Sequence, residues 1–252
     1  MKMKDKVVII TGGGKGIGFG VSTAFAKEGA SLVLTGRTEK TLEKAKVELE
    51  EKYNSSVLTV VAEGSDENAV KHVIKQTIEH FGHIDVLINN AQASKSGVLL
   101  QDHTKEDFDL AINSGLYATF FYMREAFPYL KETHGSMINF ASGAGISGAE
   151  GQASYAAAKE GIRALSRVAA TEWGPYGINT NVVCPLVETK QLKDWKEQYP
   201  DIYEKTIKAV PMGRFGDAEK DIGRVCIFLA SEDASYISGE TITIQGGAGL
   251  RP

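Results

Sequence analysis

An apolar, β-branched run, Lys6 to Ile10 (KVVII), passes at once into the glycine-rich segment TGGGKGIG at 11–18 and then into a helical pattern that continues through Ala30. A short run of this kind reads as a buried strand, so the succession is strand, tight turn and helix N-terminus. Gly12, Gly16 and Gly18, spaced G-x-x-x-G-x-G, remove side chains where the backbone must come close to a ligand. The first amides of the helix then face an anion, as in dinucleotide-binding turns. Glycines alone are weak evidence; the strand before them and the helix after them supply the required context.

The alternation continues. Ser31 to Thr35 is a second strand, Thr38 to Tyr53 a charged amphipathic helix, Val57 to Ala62 a third strand, Asp66 to Phe81 a helix and Ile84 to Ile88 a fourth strand. Strands alternating with helices predict a doubly wound parallel sheet. After the second strand, where an NAD-binding fold places an acidic residue against the ribose 2′-hydroxyl, this chain has Gly36 and Arg37. An acid there repels a 2′-phosphate, whereas Arg37, helped by Lys15 of the glycine turn, clamps it, so the cofactor expected is NADP(H). The bland alternative is that Arg37 caps a surface turn. Glu63 and Gly64 end the third strand on the side where an adenine would lie. Asn89-Asn90-Ala91-Gln92 ends the fourth, and its asparagines suit the locking of neighbouring loops by hydrogen bonds.

A long helix is predicted from about Thr104 to Leu130, with Asn113 set among apolar residues (AINSGLYATFF). A buried unpaired amide is costly, so Asn113 either binds water or bends the helix. A helix from about Gln152 to Trp173 precedes a sixth strand, Ile178 to Cys184, ending in Pro185. The segment 186–211 is irregular, rich in lysine, acids and aromatics, and predicted to contain one or two helices covering the site. Trp195, Tyr199 and Tyr203 recur at i, i+4, i+8, a spacing that puts them on one helix face unless Pro200 splits it. A helix from Asp217 to Ala230 and a seventh strand, Thr241 to Ile244, complete a chain without repeats or linkers. It is read as one domain over 1–252.

Within INFASGAGISGAEGQASYAAAK at 138–159, Ser142 precedes Tyr155 by thirteen residues and Lys159 follows one helical turn later. Residues four apart share a helix face, so the Tyr155 phenol and the Lys159 ammonium point into one space. An unperturbed tyrosine, with a pKa of about 10, is a poor acid or base near neutrality, but a fixed cation nearby favours the phenolate and makes it usable. The small residues around Ser142 form a tight loop that brings its hydroxyl to the same point as a donor. The alternative for the motif in isolation is a core tyrosine with a solvent-facing lysine.

Composition excludes other classes. The 252 residues are 42% hydrophobic and 24% charged, with a net charge of −4 and dispersed lysines, which argues against a nucleic-acid surface. No apolar run reaches the roughly 18 residues of a membrane span, and the start, MKMKDKVVIITGGG, is too short in its apolar core for a secretory signal, so a cytoplasmic protein is expected. Cys184 and Cys226 sit in apolar contexts and read as buried thiols. The five histidines show no metal-ligand spacing.

Together these residues resemble the short-chain dehydrogenase/reductase family from end to end. TGGGKGIG at 11–18, NNA at 89–91, Asn113, Ser142, YAAAK at 155–159 and the Pro185/Thr189 pair occur in the family's order. The resemblance implies a Rossmann-like sheet of seven strands flanked by helices and a homotetramer assembled through the long helices. It implies that Tyr155 is the general acid/base, that Lys159 lowers its pKa and bonds the nicotinamide ribose, and that Ser142 polarises the substrate carbonyl. Asn113 would hold a water that relays protons through Lys159. Gly12, Gly14, Lys15, Gly16, Ile17, Gly18, Arg37, Glu63, Gly64, Asn89 and Pro185 would line the cofactor, with Val187 and Thr189 at its carboxamide.

Two departures from the family pattern border the site: Gln92 and Leu186 stand where glycine is common, and both are expected to shape the substrate pocket. A narrower resemblance, carried by NNAQASKSG at 89–97, SGLYATFFYM at 114–123, INFASGAG at 138–145, SYAAAKEGIR at 154–163, NVVCPL at 181–186 and VPMGRFGD at 210–217, is to bacterial NADP-dependent 12α-hydroxysteroid dehydrogenases, and includes both departures. It implies a bile acid, a rigid apolar plate with an acidic tail, under a roof of aromatics such as Trp195, with Lys190, Lys193 or Lys196 at the rim. The rival enzyme readings are another hydroxysteroid dehydrogenase, since spacing does not fix whether the 3-, 7- or 12-hydroxyl meets the nicotinamide, and a 3-oxoacyl carrier-protein reductase, which needs a basic docking patch that the sequence does not clearly show. A non-catalytic NADP-binding protein predicts decay of the catalytic set, which is intact.

Overall fold

The computed structural model describes residues 1–188, 192 and 197–249, and of 202 and 205 the backbone alone. Seven parallel strands form one sheet in the order β3-β2-β1-β4-β5-β6-β7: β1 (Val7–Thr11), β2 (Ser31–Gly36), β3 (Val57–Val61), β4 (Val86–Asn89), β5 (Ser136–Phe140), β6 (Asn179–Pro185) and β7 (Thr241–Ile244). β1 is buried along its whole length, and the two-residue period of a strand sends alternate side chains to opposite faces. Val8 and Ile10 join the cluster of helix α1 (Gly16–Lys27) and helix α2 (Glu39–Tyr53), through Phe25, Leu42 and Leu49. Val7 and Ile9 join the other, built from helix α3 (Glu67–Phe81) through Val70 and Ile74 and from the long helix between β4 and β5 through Tyr122 and Leu130. Covering both faces is what an all-parallel sheet requires.

The predicted helix from Thr104 to Leu130 is helical throughout but not uniform. α4 (Lys105–Ala111) passes through a π-turn (Ile112–Tyr117) into α5 (Ala118–Thr133). Thr104 caps it, its hydroxyl accepting from the Asp107 amide at 3.1 Å, and His134 ends it with φ of 50°. Ser114 accounts for part of the distortion: its hydroxyl contacts the Leu110 carbonyl at 2.6 Å and the Ala93 carbonyl at 2.9 Å, and it accepts from the Ala93 amide at 3.0 Å. Such back-bonding bends helices, and here it ties the turn to the loop after β4. A short helix, α6 (Gly143–Ser147), and then α7 (Ala153–Trp173) follow β5. A second departure lies at the end of the chain, where the helix expected over 217–230 opens as a π-turn (Ala218–Gly223).

The aromatic stripe expected over 195, 199 and 203 is corrected. The next helix, α8 (Pro200–Lys208), starts at Pro200, whose fixed φ suits a first turn. Tyr199 precedes it and is 45% exposed, whereas Tyr203 is 3% exposed and packs with Val210 and Phe215. The two tyrosines therefore do not share a face. Trp195 and the rim lysines Lys190, Lys193 and Lys196 lie outside the described residues.

Candidate active site

Strand order reverses between β1 and β4, and in open α/β sheets the crevice at such a switch point, beyond the carboxyl ends of the strands, binds ligands. A cleft of about 660 Å³ lies there, bounded by the glycine turn, Gly36 and Arg37 after β2, Glu63 and Gly64 after β3, and Asn89 to Gln92 after β4. Gly12 and Gly16 have φ of +67° and +56°, a region that favours glycine. A Cβ on Gly18 would collide with the Gly12 carbonyl and lie 2.8 Å from Asn90 Nδ2. No side chain caps the start of α1, so its first amides are free to meet an anion. Gly12, Gly14, Lys15, Gly16 and Ile17 all line this cleft, and its anion-ready end and its size fit a dinucleotide.

Arg37 is 61% exposed at the cleft edge, with one guanidinium nitrogen 3.7 Å from the Glu63 carboxylate. Both partners are open to solvent, so the pair is screened and weak, leaving the guanidinium free to engage a stronger anion. Asn90 locks the turn as the sequence suggests. Its side-chain amide donates to the Thr11 carbonyl at 3.0 Å, while the Thr11 hydroxyl accepts from the Asn90 and Ala91 amides at 2.9 and 3.0 Å. Asn89, expected at the cofactor, lines the cleft but is 4% exposed and donates its side-chain amide to Asn139 Oδ1 at 2.8 Å. Asn139 in turn donates to Ser166 Oγ at 2.8 Å.

Ser142, Tyr155 and Lys159 are brought together. Ser142 caps α6, accepting from the Ala144 amide at 3.2 Å, and its hydroxyl lies close enough to the Tyr155 phenol to favour the phenolate. Lys159 Nζ lies 5.6 Å from the centre of the Tyr155 ring, 4% exposed, and donates to the Phe140 carbonyl at 2.6 Å. Burial pushes the Lys159 amine down to about 7. Burial also raises the Tyr155 phenol. The lysine is thus desolvated and turned toward a carbonyl, while the Ser142 hydroxyl opposes the effect of burial on the phenol. Cys184, read from the sequence as a buried thiol, is 0% exposed.

Asn113 lies on the π-turn and is exposed, whereas Gly115 is buried. Against Gly115 lies the Gln92 side chain: a Cβ on the glycine would sit 2.7 Å from Gln92 Cδ and Oε1. The helical period at 113 is broken by the extra residue of the π-turn, so the buried position is not where a regular helix puts it. Leu186, expected in the substrate wall, packs with Tyr203 and Phe215 in a small apolar cluster. Pro185 ends β6, and Val187 is 7% exposed and pairs with Gly216. Thr189 lies outside the described residues. Among the described residues no three His, Cys, Asp or Glu side chains gather as a metal site, and no helix is long and apolar enough to cross a membrane.

Comparison with known proteins places this geometry in context. A 12alpha-hydroxysteroid dehydrogenase from Clostridium sp. is 62% identical over 253 residues, covering 98% of each chain. A 3-oxoacyl-[acyl-carrier-protein] reductase from Thermotoga maritima is 34% identical, covering 98% of this chain and 99% of its own. The crystal structure of levodione reductase superposes with a TM-score of 0.92 at 35% identity, covering 98% of both chains. The family model described as enoyl-(acyl carrier protein) reductase matches residues 12–249. The family model and these relatives each match nearly the full length of the chain, and the chain belongs to the short-chain dehydrogenase/reductase family.

Proposed function

We propose that the chain is an NADP(H)-dependent hydroxysteroid dehydrogenase interconverting the 12α-hydroxyl and the 12-ketone of bile acids. The observation that carries this reading is the 62% identity to a 12alpha-hydroxysteroid dehydrogenase over 98% of both chains. In the oxidative direction the Tyr155 phenolate takes the hydroxyl proton while Ser142 holds the same oxygen by a hydrogen bond, and the carbon's hydrogen leaves as hydride. A bound nicotinamide cofactor would supply the hydride acceptor. Lys159 would bond its ribose and, as an ammonium, favour the phenolate. Arg37 and Lys15 would hold the 2′-phosphate, the glycine turn the pyrophosphate, and Val187 and Thr189 the carboxamide.

The rest of the reading follows the family. Residues 1–252 work as one domain with 186–211 covering the substrate, in a cytoplasmic homotetramer. Phe108, Leu110, Tyr117 and Phe120 are exposed along α4, the π-turn and α5, which supports assembly through that face.

The test follows reduced cofactor with deoxycholate and chenodeoxycholate side by side, using NADP⁺ and then NAD⁺. The two share the 3-hydroxyl, and only deoxycholate carries a 12-hydroxyl. Turnover of deoxycholate alone, dependent on NADP⁺, is expected. Turnover of both transfers the reading to the 3-hydroxyl. Silence on both, with reduction of acetoacetyl thioesters by NADPH, replaces it with the 3-oxoacyl carrier-protein reductase reading.

A further inference from the structure

Gln92 stands on the loop that leaves β4 at the switch point, in the wall of the cleft. Its Nε2 and Oε1 are both buried and neither has a hydrogen-bond partner among the described residues. A buried amide with donor and acceptor both unmatched is costly to folding and calls for a bound partner. The amide lies against Gly115, where a Cβ would come within 2.7 Å of Cδ and Oε1 and 3.0 Å of Nε2. Gly115 has no positive φ, so glycine is required there for space rather than for backbone conformation.

The π-turn also packs on α7, where a Cβ on Gly161, two residues beyond Lys159, would lie 2.8 Å from Leu116 Cδ2. Ser114, the adjacent polar side chain, is already bonded to Ala93 and Leu110. Lys159 has three donors, and its bond to Phe140 uses one. A buried ammonium that exchanges protons during turnover needs a polar path outward, and Asn113 is exposed to solvent whereas Gln92 Nε2 and Oε1 are buried.

We propose that Gln92, packed into the space that Gly115 leaves open, is the positioning residue for the water that carries protons between Lys159 and solvent. Its amide accepts from and donates to that water, and its stem fixes it at the cleft wall. The inference deepens the dehydrogenase reading and rests on it.

The experiment compares Gln92→Met, which keeps the length and removes the hydrogen bonds, with Asn113→Ala as the exposed control. Each variant is assayed with whichever alcohol or ketone the wild type turns over, so failure of the bile-acid reading appears in the wild type and failure of the Gln92 role in the variants. For Gln92→Met, kcat is expected to fall about 100-fold, the lower end of a proton-transfer contribution, and the solvent deuterium isotope effect to grow, with KM for NADP⁺ unchanged. The thermal midpoint of the protein without cofactor should be equal to or above the wild type, because an unmatched buried amide is gone. A double variant, Gln92→Gly with Gly115→Asn, delivers an amide to the same space from the opposite wall and should turn over faster than Gln92→Gly. The proposal is overturned by any of four results: wild-type kcat and isotope effect in Gln92→Met, a loss confined to KM for the steroid, a lowered thermal midpoint that accounts for the lost activity, or a larger loss in Asn113→Ala.

Discussion

Lys159 Nζ reaches the Phe140 carbonyl oxygen at 2.6 Å from a side chain that is 4% exposed. Helix α7 and strand β5 thus hold one buried amine between them, one helical turn from Tyr155, and its desolvation favours the neutral form.

Burial takes the Lys159 amine from 10.5 to about 7, so between those values the unfolded chain binds more protons and stability rises with pH. Cys226 acts oppositely: burial raises its thiol from 9.0 to about 12, and above pH 9 the unfolded chain loses that proton first. Urea unfolding midpoints should therefore climb from pH 7 to pH 9 in the wild type. Lys159→Met should show a flat profile over that window and greater stability at pH 7.

The Tyr155 phenol is raised by burial, and the nearby Ser142 hydroxyl opposes that shift. Removing the hydroxyl with Ser142→Ala should move the rising limb of the pH profile for alcohol oxidation to higher pH. Tyr155→Phe should lose activity by about 10²–10⁴-fold while still binding cofactor, as followed by steady-state kinetics and by quenching of protein fluorescence.

Arg37 is the cation placed for a 2′-phosphate, and charge-assisted hydrogen bonds contribute about 1.5–3 kcal/mol. Arg37→Leu should raise KM for NADP⁺ by about 10–100-fold and leave KM for NAD⁺ nearly unchanged. Glu63 lies 3.7 Å from that guanidinium and repels the same phosphate, so Glu63→Gln should lower KM for NADP⁺, with the effect shrinking as salt is added.

Asn139 is fully buried, accepts from Asn89 and donates to Ser166, each at 2.8 Å. Asn89 Oδ1 already has no partner among the described residues. Asn139→Ala therefore strands the whole Asn89 amide, at about 1–3 kcal/mol, and calorimetry should record a lower thermal midpoint without a change in KM for NADP⁺.

The strand, glycine turn and helix from Val7 to Lys27 were legible because each rests on local rules: apolar β-branched residues, glycines where backbone segments approach, and a helical period after them. The pairing of Tyr155 with Lys159 was legible for the same reason, since a spacing of four on α7 sets a shared face whatever surrounds it. The tertiary structure alone decided that Lys159 turns to Phe140, that Ser142 favours the phenolate, and that Tyr203 is buried while Tyr199 is not. It also decided that Gln92 fills the space above Gly115 while Asn113 is exposed. These outcomes depend on desolvation and on close approach between segments such as residues 92 and 115 or 140 and 159, which residue spacing along one element does not encode.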